Sequence, residues 1–219
     1  MIDWHTIDAV LFDMDGTLLD LHYDNYFWNC HLPQHYAALH QLPVAEAVDL
    51  LLTKIRAQRG TLNFYCIDYW SEQLQLDIVA LKREVVQRIG FLPHATDLLA
   101  ALAAMPVSCV IVTNAHRKTL DIKQSVVDIS GRVDRIYSAH DFGFAKEQRE
   151  FWPRFAATHS FSPQRTLLVD DNAAVLDTAA AYGIRHCVLP LNPDSQITPR
   201  RAAPNSPHHG ITSLQALLP

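Results

Sequence analysis

Apolar residues recur along the chain in two rhythms. Unbroken apolar or nearly apolar runs at residues 9–12, 107–112, 166–169 and 186–189 predict strands covered on both faces, as in a parallel sheet, with a further short strand around Ile136 and Tyr137. Elsewhere the apolar positions return at helical spacing, with helices expected at 95–105, 120–127, 147–159 and 173–182. Asn172 can cap the last of these and Gly183 can close it. Strands alternating with helices predict an α/β fold with a Rossmann-like parallel sheet.

The alternation is interrupted once. From residue 21 to about 90 strand signals are weak, while aromatics and helically spaced leucines dominate. Pro43 opens a predicted helix over 44–58, with Val44, Val48, Leu51, Leu52 and Ile55 on one stripe, and two more helices are expected at 67–76 and 78–89. The expected organisation is a core of residues 1–20 and 91–219 with an all-helical cap inserted at 21–90. Residues 190–210 hold five prolines and few apolar side chains, so an irregular tail is expected there, with a short helix at 211–218.

Composition narrows the setting. With 219 residues, 49% hydrophobic and 19% charged, the chain can bury a full core. A net charge of −5 argues against a nucleic-acid groove, while a small anionic substrate needs only local cations. The four cysteines lack CxxC spacing, and the amino-terminal residues carry no secretory pattern. No apolar run is long enough to span a bilayer, so a cytoplasmic protein without membrane or nucleic-acid partners is expected.

Candidate chemistry sits at the strand ends. The first strand runs into Asp13-Met14-Asp15-Gly16-Thr17, where the alternation of extended chain puts Asp13 and Asp15 on one side and Gly16 lets the backbone turn away. Two carboxylates about 5–6 Å apart repel by about 3 kcal/mol at an effective dielectric near 20, which a divalent cation with oxygen ligands would offset. If the crossovers are helical, Thr113, Asn114, Asp170 and Asp171 arrive at the same edge, and Lys146 can join from a neighbouring loop. The acids then suit Mg2+. Lys146, Thr113, Met14, Asn114 and the backbone amides face a phosphoryl group. Asp13, nearest the rigid strand, is the candidate nucleophile, and Asp15 the candidate acid and base.

Elsewhere the signals are weaker. His31, His35 and His40 suggest a metal, but Pro33 interrupts the helix that would align them, and His208-His209 read as solvated. The run Asn63 to Trp70, with Phe64, Asp68 and Trp70 as substrate-binding candidates, admits two readings, cap core packing or a platform that stacks a purine and hydrogen-bonds its edge. Asn25 is a further substrate-binding candidate in the cap.

These residues resemble the haloacid dehalogenase superfamily of phosphatases. The four motifs of that superfamily are matched in order by Asp13 to Thr17, Thr113-Asn114, Lys146 and Asp170-Asp171. The resemblance implies a phosphohydrolase with Asp13 as nucleophile and Asp15 as acid and base. It also implies Mg2+ held by Asp13, the Asp15 carbonyl and the Asp170-Asp171 pair. Asp24 to Trp28, Asn63 to Leu74, Thr113 to His116, Phe142-Gly143 and Asn192 to Ser195 are similar to the bacterial GMP/IMP-directed 5′-nucleotidases of the superfamily, which implies a purine nucleoside monophosphate as substrate. Glu147 departs from many relatives, which carry proline after the lysine. A sugar-phosphate phosphatase or phosphomutase of the same superfamily is the rival enzyme, and a phosphate-binding protein without turnover the rival from another class.

Overall fold

The computed structural model describes residues 2–201 and 206–219. Six parallel strands, β1 (Ala9–Phe12), β2 (Ser108–Thr113), β3 (Arg135–Ser138), β4 (Thr166–Val169), β5 (His186–Pro190) and β6 (His209–Ile211), lie in the order 3-2-1-4-5-6. All of β1 and β4 is buried, as their unbroken apolar runs require. The order reverses between β1 and β4, which opens a crevice beyond their carboxyl ends. Register aligns Phe12 with both Ile111 and Val169, so the residues that follow each strand emerge side by side.

Between β1 and β2 the chain is helical. α1 (His22–Tyr26) continues through a π-helical turn at Phe27–His31 into α2 (Leu32–His40), followed by α3 (Val44–Ala57), α4 (Ile67–Leu74) and α5 (Ile78–Arg83). These helices bury their own apolar cluster, built on Phe27, Leu32, Leu51, Ile67, Trp70 and Leu81, and reach Ile122 of the sheet unit. The two connections to the sheet run antiparallel: Leu19 pairs with Phe91, and Leu92 N–H donates to the Leu18 carbonyl at 2.9 Å. The remaining helices, α6 (Ala95–Ala103), α7 (Arg117–Gln124), α8 (Phe151–Thr158) and α9 (Ala173–Tyr182), flank the sheet, with Asn172 and Gly183 at the ends of α9 as expected.

Several boundaries differ from the sequence pattern. α8 starts at Phe151 rather than at 147, because the preceding loop is tied down: Lys146 N–H donates to Asn114 Oδ1 at 2.9 Å and Ala145 N–H to Gln148 Oε1 at 2.8 Å. α7 occupies Arg117–Gln124, started by His116, whose ring accepts from Lys118 N–H. The helix expected over 78–89 stops at Arg83 and gives way to a 3₁₀ turn at Val86–Arg88. At the carboxyl end, Ile211 closes a sixth strand instead of opening a helix, and only a 3₁₀ turn, Leu214–Leu217, follows. The expected tail is partly built in, since Asp194 is buried and Arg200 bonds the Asp171 carbonyl at 2.9 Å; residues 202–205 lie outside the described residues. His208 is buried against Asp177 at 2.7 Å rather than solvated. Pro33 sits in the first turn of α2, where proline is tolerated, so His31 and His35 do align, both facing Glu84 at 3.0 and 3.5 Å. No helix among the described residues is long and apolar enough to cross a membrane.

Trp70 sits at the centre of the helical cluster, 1% exposed, with its indole N–H satisfied by the Phe64 carbonyl at 3.0 Å. Trp70→Ala is therefore expected to cost about 3–5 kcal/mol of unfolding free energy in a denaturant titration. A loss below about 1 kcal/mol would contradict this placement.

Candidate active site

The crevice between β1 and β4 collects the acids. Asp13 follows β1, its N–H held by the Val169 carbonyl at 2.9 Å, while Asp170 and Asp171 follow β4. One carboxylate oxygen from each of Asp13, Asp170 and Asp171 lies within 4.8 Å of the others. Two unit charges at that separation repel by about 3.5 kcal/mol at an effective dielectric near 20. Lys146 answers part of this. Its buried ammonium donates to Asp13 Oδ1 at 2.6 Å, Asp170 Oδ2 at 2.7 Å and the Val112 carbonyl at 2.8 Å.

One ammonium does not balance three carboxylates. Burial, helped by the charges of Asp170 and Asp15, pushes the Asp13 carboxyl up to about 7 against the pull of Lys146. Burial and Asp171 push Asp170 to about 6, and burial and Asp13 push Asp171 to about 7 despite Arg200 and Lys146. Burial opposes the charge on Lys146, but Asp13 and Asp170 outweigh it and raise its pKa. Protein groups alone leave negative charge unmatched here, the condition under which a hard divalent cation binds to oxygen ligands.

Gly16 is fixed by this geometry. Its φ is +79°, and a Cβ there would stand 2.8 Å from Asp171 Cγ, so any side chain would push the carboxylate away. Thr113 ends β2, buried, with Oγ1 accepting from Ala115 N–H at 3.0 Å, which leaves its hydroxyl hydrogen to donate. Asn114 splits its amide, accepting from Lys146 N–H at 2.9 Å and donating to Glu147 Oε2 at 2.9 Å. The Met14 side chain is fully buried, so only its backbone can meet a ligand.

Asp15 belongs to a second network. Lys123 of α7 donates to Asp15 Oδ1 and, at 2.6 Å, to Asp24 Oδ2, while Lys82 of α5 donates to Asp24 Oδ1 at 2.6 Å. The chain Asp15–Lys123–Asp24–Lys82 thus runs from the sheet edge into the helical segment. Burial raises the Asp15 carboxyl, with Lys123 opposing. Burial also works against charge on Asp24, yet Lys123 and Lys82 outweigh it and hold its carboxyl well below the usual range. Lys82 lies 4.9 Å from the Tyr23 ring centre and 4.6 Å from that of Phe27, contacts that ease the burial of an ammonium.

Among the helical-segment candidates, Asn25 donates to Asp194 Oδ2 at 2.7 Å, joining α1 to the loop after β5. Phe64 is half-buried, and Asp68 is exposed and paired with Lys118 at 2.7 Å. Trp70 has no face free to stack a base. The purine platform expected of it is corrected to core packing, because its ring is enclosed by Trp28, Tyr69 and the apolar cluster.

Sequence reasoning missed Lys123, Asp24, Lys82 and Glu147. Lys82 and Lys123 fall on the buried stripes of their helices, beside Ile78 and Leu81 and beside Leu120 and Ile122, and a charge on such a stripe is the available signal. Glu147 was visible only as a departure from proline. Its carboxylate accepts from the Tyr65 hydroxyl, from Asn114 Nδ2 and, at 3.0 Å, from Asn172 Nδ2, so it joins the helical segment to two loops of the site.

Known proteins share this chain's sequence pattern and fold. Residues 7–183 match the family model described as haloacid dehalogenase-like hydrolase. The chain is 38% identical over 218 residues to the GMP/IMP nucleotidase YrfG of Escherichia coli (strain K12), covering all of this chain and 97% of that protein, and equally similar to YrfG of Shigella flexneri. Among solved structures, the HAD phosphatase from Thermococcus onnurineus superposes with a TM-score of 0.79 at 20% identity, over 96% of each chain. The putative HAD-hydrolase YfnB from Bacillus subtilis, solved bound to magnesium, superposes at 0.67 with 18% identity, again over 96% of each chain. With its four sequence motifs, the parallel sheet and the acids gathered at the end of β1, the chain belongs to the haloacid dehalogenase-like hydrolases.

Proposed function

We propose that the protein is a Mg2+-dependent phosphomonoester hydrolase that works through an aspartyl-phosphate on Asp13, and that its substrates are purine nucleoside 5′-monophosphates. The observation that carries the reading is the meeting of Asp13, Asp170 and Asp171 around the Lys146 ammonium. Their donor set is all oxygen and partly unneutralised, which fits Mg2+. Asp13, Asp170, Asp171 and the Asp15 carbonyl would hold the cation, which when bound would offset charge on the phosphoryl oxygens.

The protein's own groups then divide the reaction. Lys146 and the Thr113 hydroxyl hold the phosphoryl oxygens, and an Asp13 oxygen attacks phosphorus as the bond to the nucleoside oxygen breaks. Asp15, whose carboxyl burial favours in its protonated form, gives its proton to that leaving oxygen. Asp15 next takes a proton from water, which attacks phosphorus, releases phosphate and regenerates Asp13. Residues 21–90 act as the inserted cap over this site, and the Asp15–Lys123–Asp24 chain links its position to the acid group.

The purine assignment is supported by the 38% identity over the whole chain to proteins named GMP/IMP nucleotidases. In this reading Phe64 offers the stacking surface, and Asn25 and Asp68 are the polar groups of the helical segment that would meet the nucleoside. The unpaired state of the four cysteines suits a reducing cytoplasm.

The test is phosphate release across nucleoside monophosphates, sugar phosphates and p-nitrophenyl phosphate, with Mg2+ and with chelator. GMP and IMP should lead, chelator should abolish release, and Asp13→Asn should lower kcat by ~10³-fold or more while the fold persists. Preference for a sugar phosphate would overturn the substrate assignment, and release indifferent to chelator would overturn the mechanism. Glu147→Ala leaves the part-buried Tyr65 hydroxyl and two amides without this acceptor, so the loop that carries Lys146 loses its ties and kcat/KM is expected to fall about 10–100-fold, the equivalent of about 1–3 kcal/mol in all. Unchanged steady-state kinetics would deny Glu147 that bridging role.

A further inference from the structure

A second group of metal-ligating atoms lies where the helical segment meets the sheet unit. Cys66 precedes α4, His116 precedes α7, and His140 lies in the 3₁₀ turn Ala139–Asp141 after β3. One ligand atom from each lies within 4.8 Å of the others, and the two imidazole centres are 4.8 Å apart. Three segments distant in sequence thus bring a thiol and two imidazoles together, a donor set unlike the all-oxygen trio around Lys146.

Their remaining bonds favour ligation. His140 Nε2 is buried without a hydrogen-bond partner among the described residues, an orphan that a metal ion would satisfy. Burial, with His116 alongside, lowers the pKa of the His140 imidazole. His116 Nε2 lies 3.8 Å from Asp68 Oδ2, and ligation through it places the ring proton on Nδ1, which gives up only the long 3.4 Å contact with Lys118 N–H. Burial also lowers this imidazole, despite the charge of Asp68. Cys66 Sγ accepts from Tyr69 N–H at 3.4 Å, a bond that a metal-bound thiolate can keep. Asp68 Oδ2 lies 3.8 Å from His116 Nε2 and can supply a fourth ligand.

We propose that Cys66, His116 and His140, with Asp68 as fourth ligand, form a Zn2+ site that clamps the helical segment to the sheet unit and inhibits turnover. Sulfur and imidazole ligands select zinc over magnesium, and a thiolate and a carboxylate, with two neutral imidazoles, bring two negative charges against the two positive charges of the ion. Tetrahedral Zn–S and Zn–N bonds of about 2.3 and 2.0 Å would draw the ligand atoms to about 3.3–3.6 Å from one another, a shift of about 1 Å at side-chain tips. Inhibition follows from position. Cys66 and Asp68 belong to the helical segment, whereas His116 stands two residues beyond Asn114 and His140 lies in the turn that follows β3. A metal bridging these groups resists the separation that lets a substrate in and a product out.

The test uses the full-length protein, stripped of metal and kept in excess Mg2+ so that the carboxylate site stays filled. Co2+ titration should give a thiolate-to-cobalt charge-transfer band with tetrahedral d–d bands, saturating at one ion per chain and displaced by Zn2+. Cys66→Ser should remove the charge-transfer band and keep hydrolysis going at Zn2+ concentrations that stop the unsubstituted enzyme. His140→Ala should weaken Zn2+ binding at least about tenfold while circular dichroism shows the fold intact. A charge-transfer band that never forms, or one that survives Cys66→Ser because exposed Cys30 supplies it, would overturn the proposal. So would Zn2+ binding unchanged in both Cys66→Ser and a second variant, His116→Ala.

Discussion

Everything at the sheet edge depends on one buried ammonium held between two carboxylates. Lys146 reaches Asp13 and Asp170 at 2.6 and 2.7 Å in a setting that water hardly enters. An ion pair buried in this way gains little net stability, because desolvation of each charge cancels much of the attraction. It does fix where the groups stand. Breaking it from one side would leave a buried charge unmatched, which makes the arrangement an all-or-none unit. Sheet topology supplies the acids, since β1 and β4 are the strands that part at the reversal of order. The loop before α8 supplies the cation, and it is held by the Asn114 side chain, so three strand ends and one loop set a single geometry.

The second buried network has a different task. Asp15, Lys123, Asp24 and Lys82 alternate in sign from the sheet edge into the helical segment. Lys123 belongs to the sheet unit and Asp24 to the helical segment, so displacement of one unit from the other would separate charges already stripped of water. Glu147 adds a parallel link through the Tyr65 hydroxyl. The relative position of the two units and the surroundings of Asp15 are therefore one variable. On the proposed mechanism, a cap that opens also changes the group that delivers the proton.

Much of this was legible in the sequence, for physical reasons. Strands covered on both faces must be apolar throughout, so β1, β2 and β4 announce themselves, and their polar terminators Asp13, Thr113 and Asp170 mark the edge. The legibility fails where long-range contacts decide local structure. The start of α8 is set by bonds from Asn114 and Gln148, and β6 forms only because β5 offers an open edge to His209–Ile211. Trp70 shows a different limit, since an aromatic run gives no sign of which ring faces inward. Lys82 and Lys123 were hidden because a lysine in a helix is normally solvated, and only their places on apolar stripes hint otherwise.

The central claim is that Asp13, Asp170 and Asp171 form one oxygen-lined cation site whose protons leave as the cation arrives. Calorimetric titration with Mg2+ in buffers of different ionisation enthalpy tests it most directly. With carboxyls raised to about 7, 6 and 7, binding should release protons near pH 6.5, and affinity should rise through the window from pH 6 to 8 and then level off. One Mg2+ per chain, proton release and loss of both in Asp170→Asn are the predicted results. Binding that is independent of pH over that window, or unchanged by Asp170→Asn, would contradict the account.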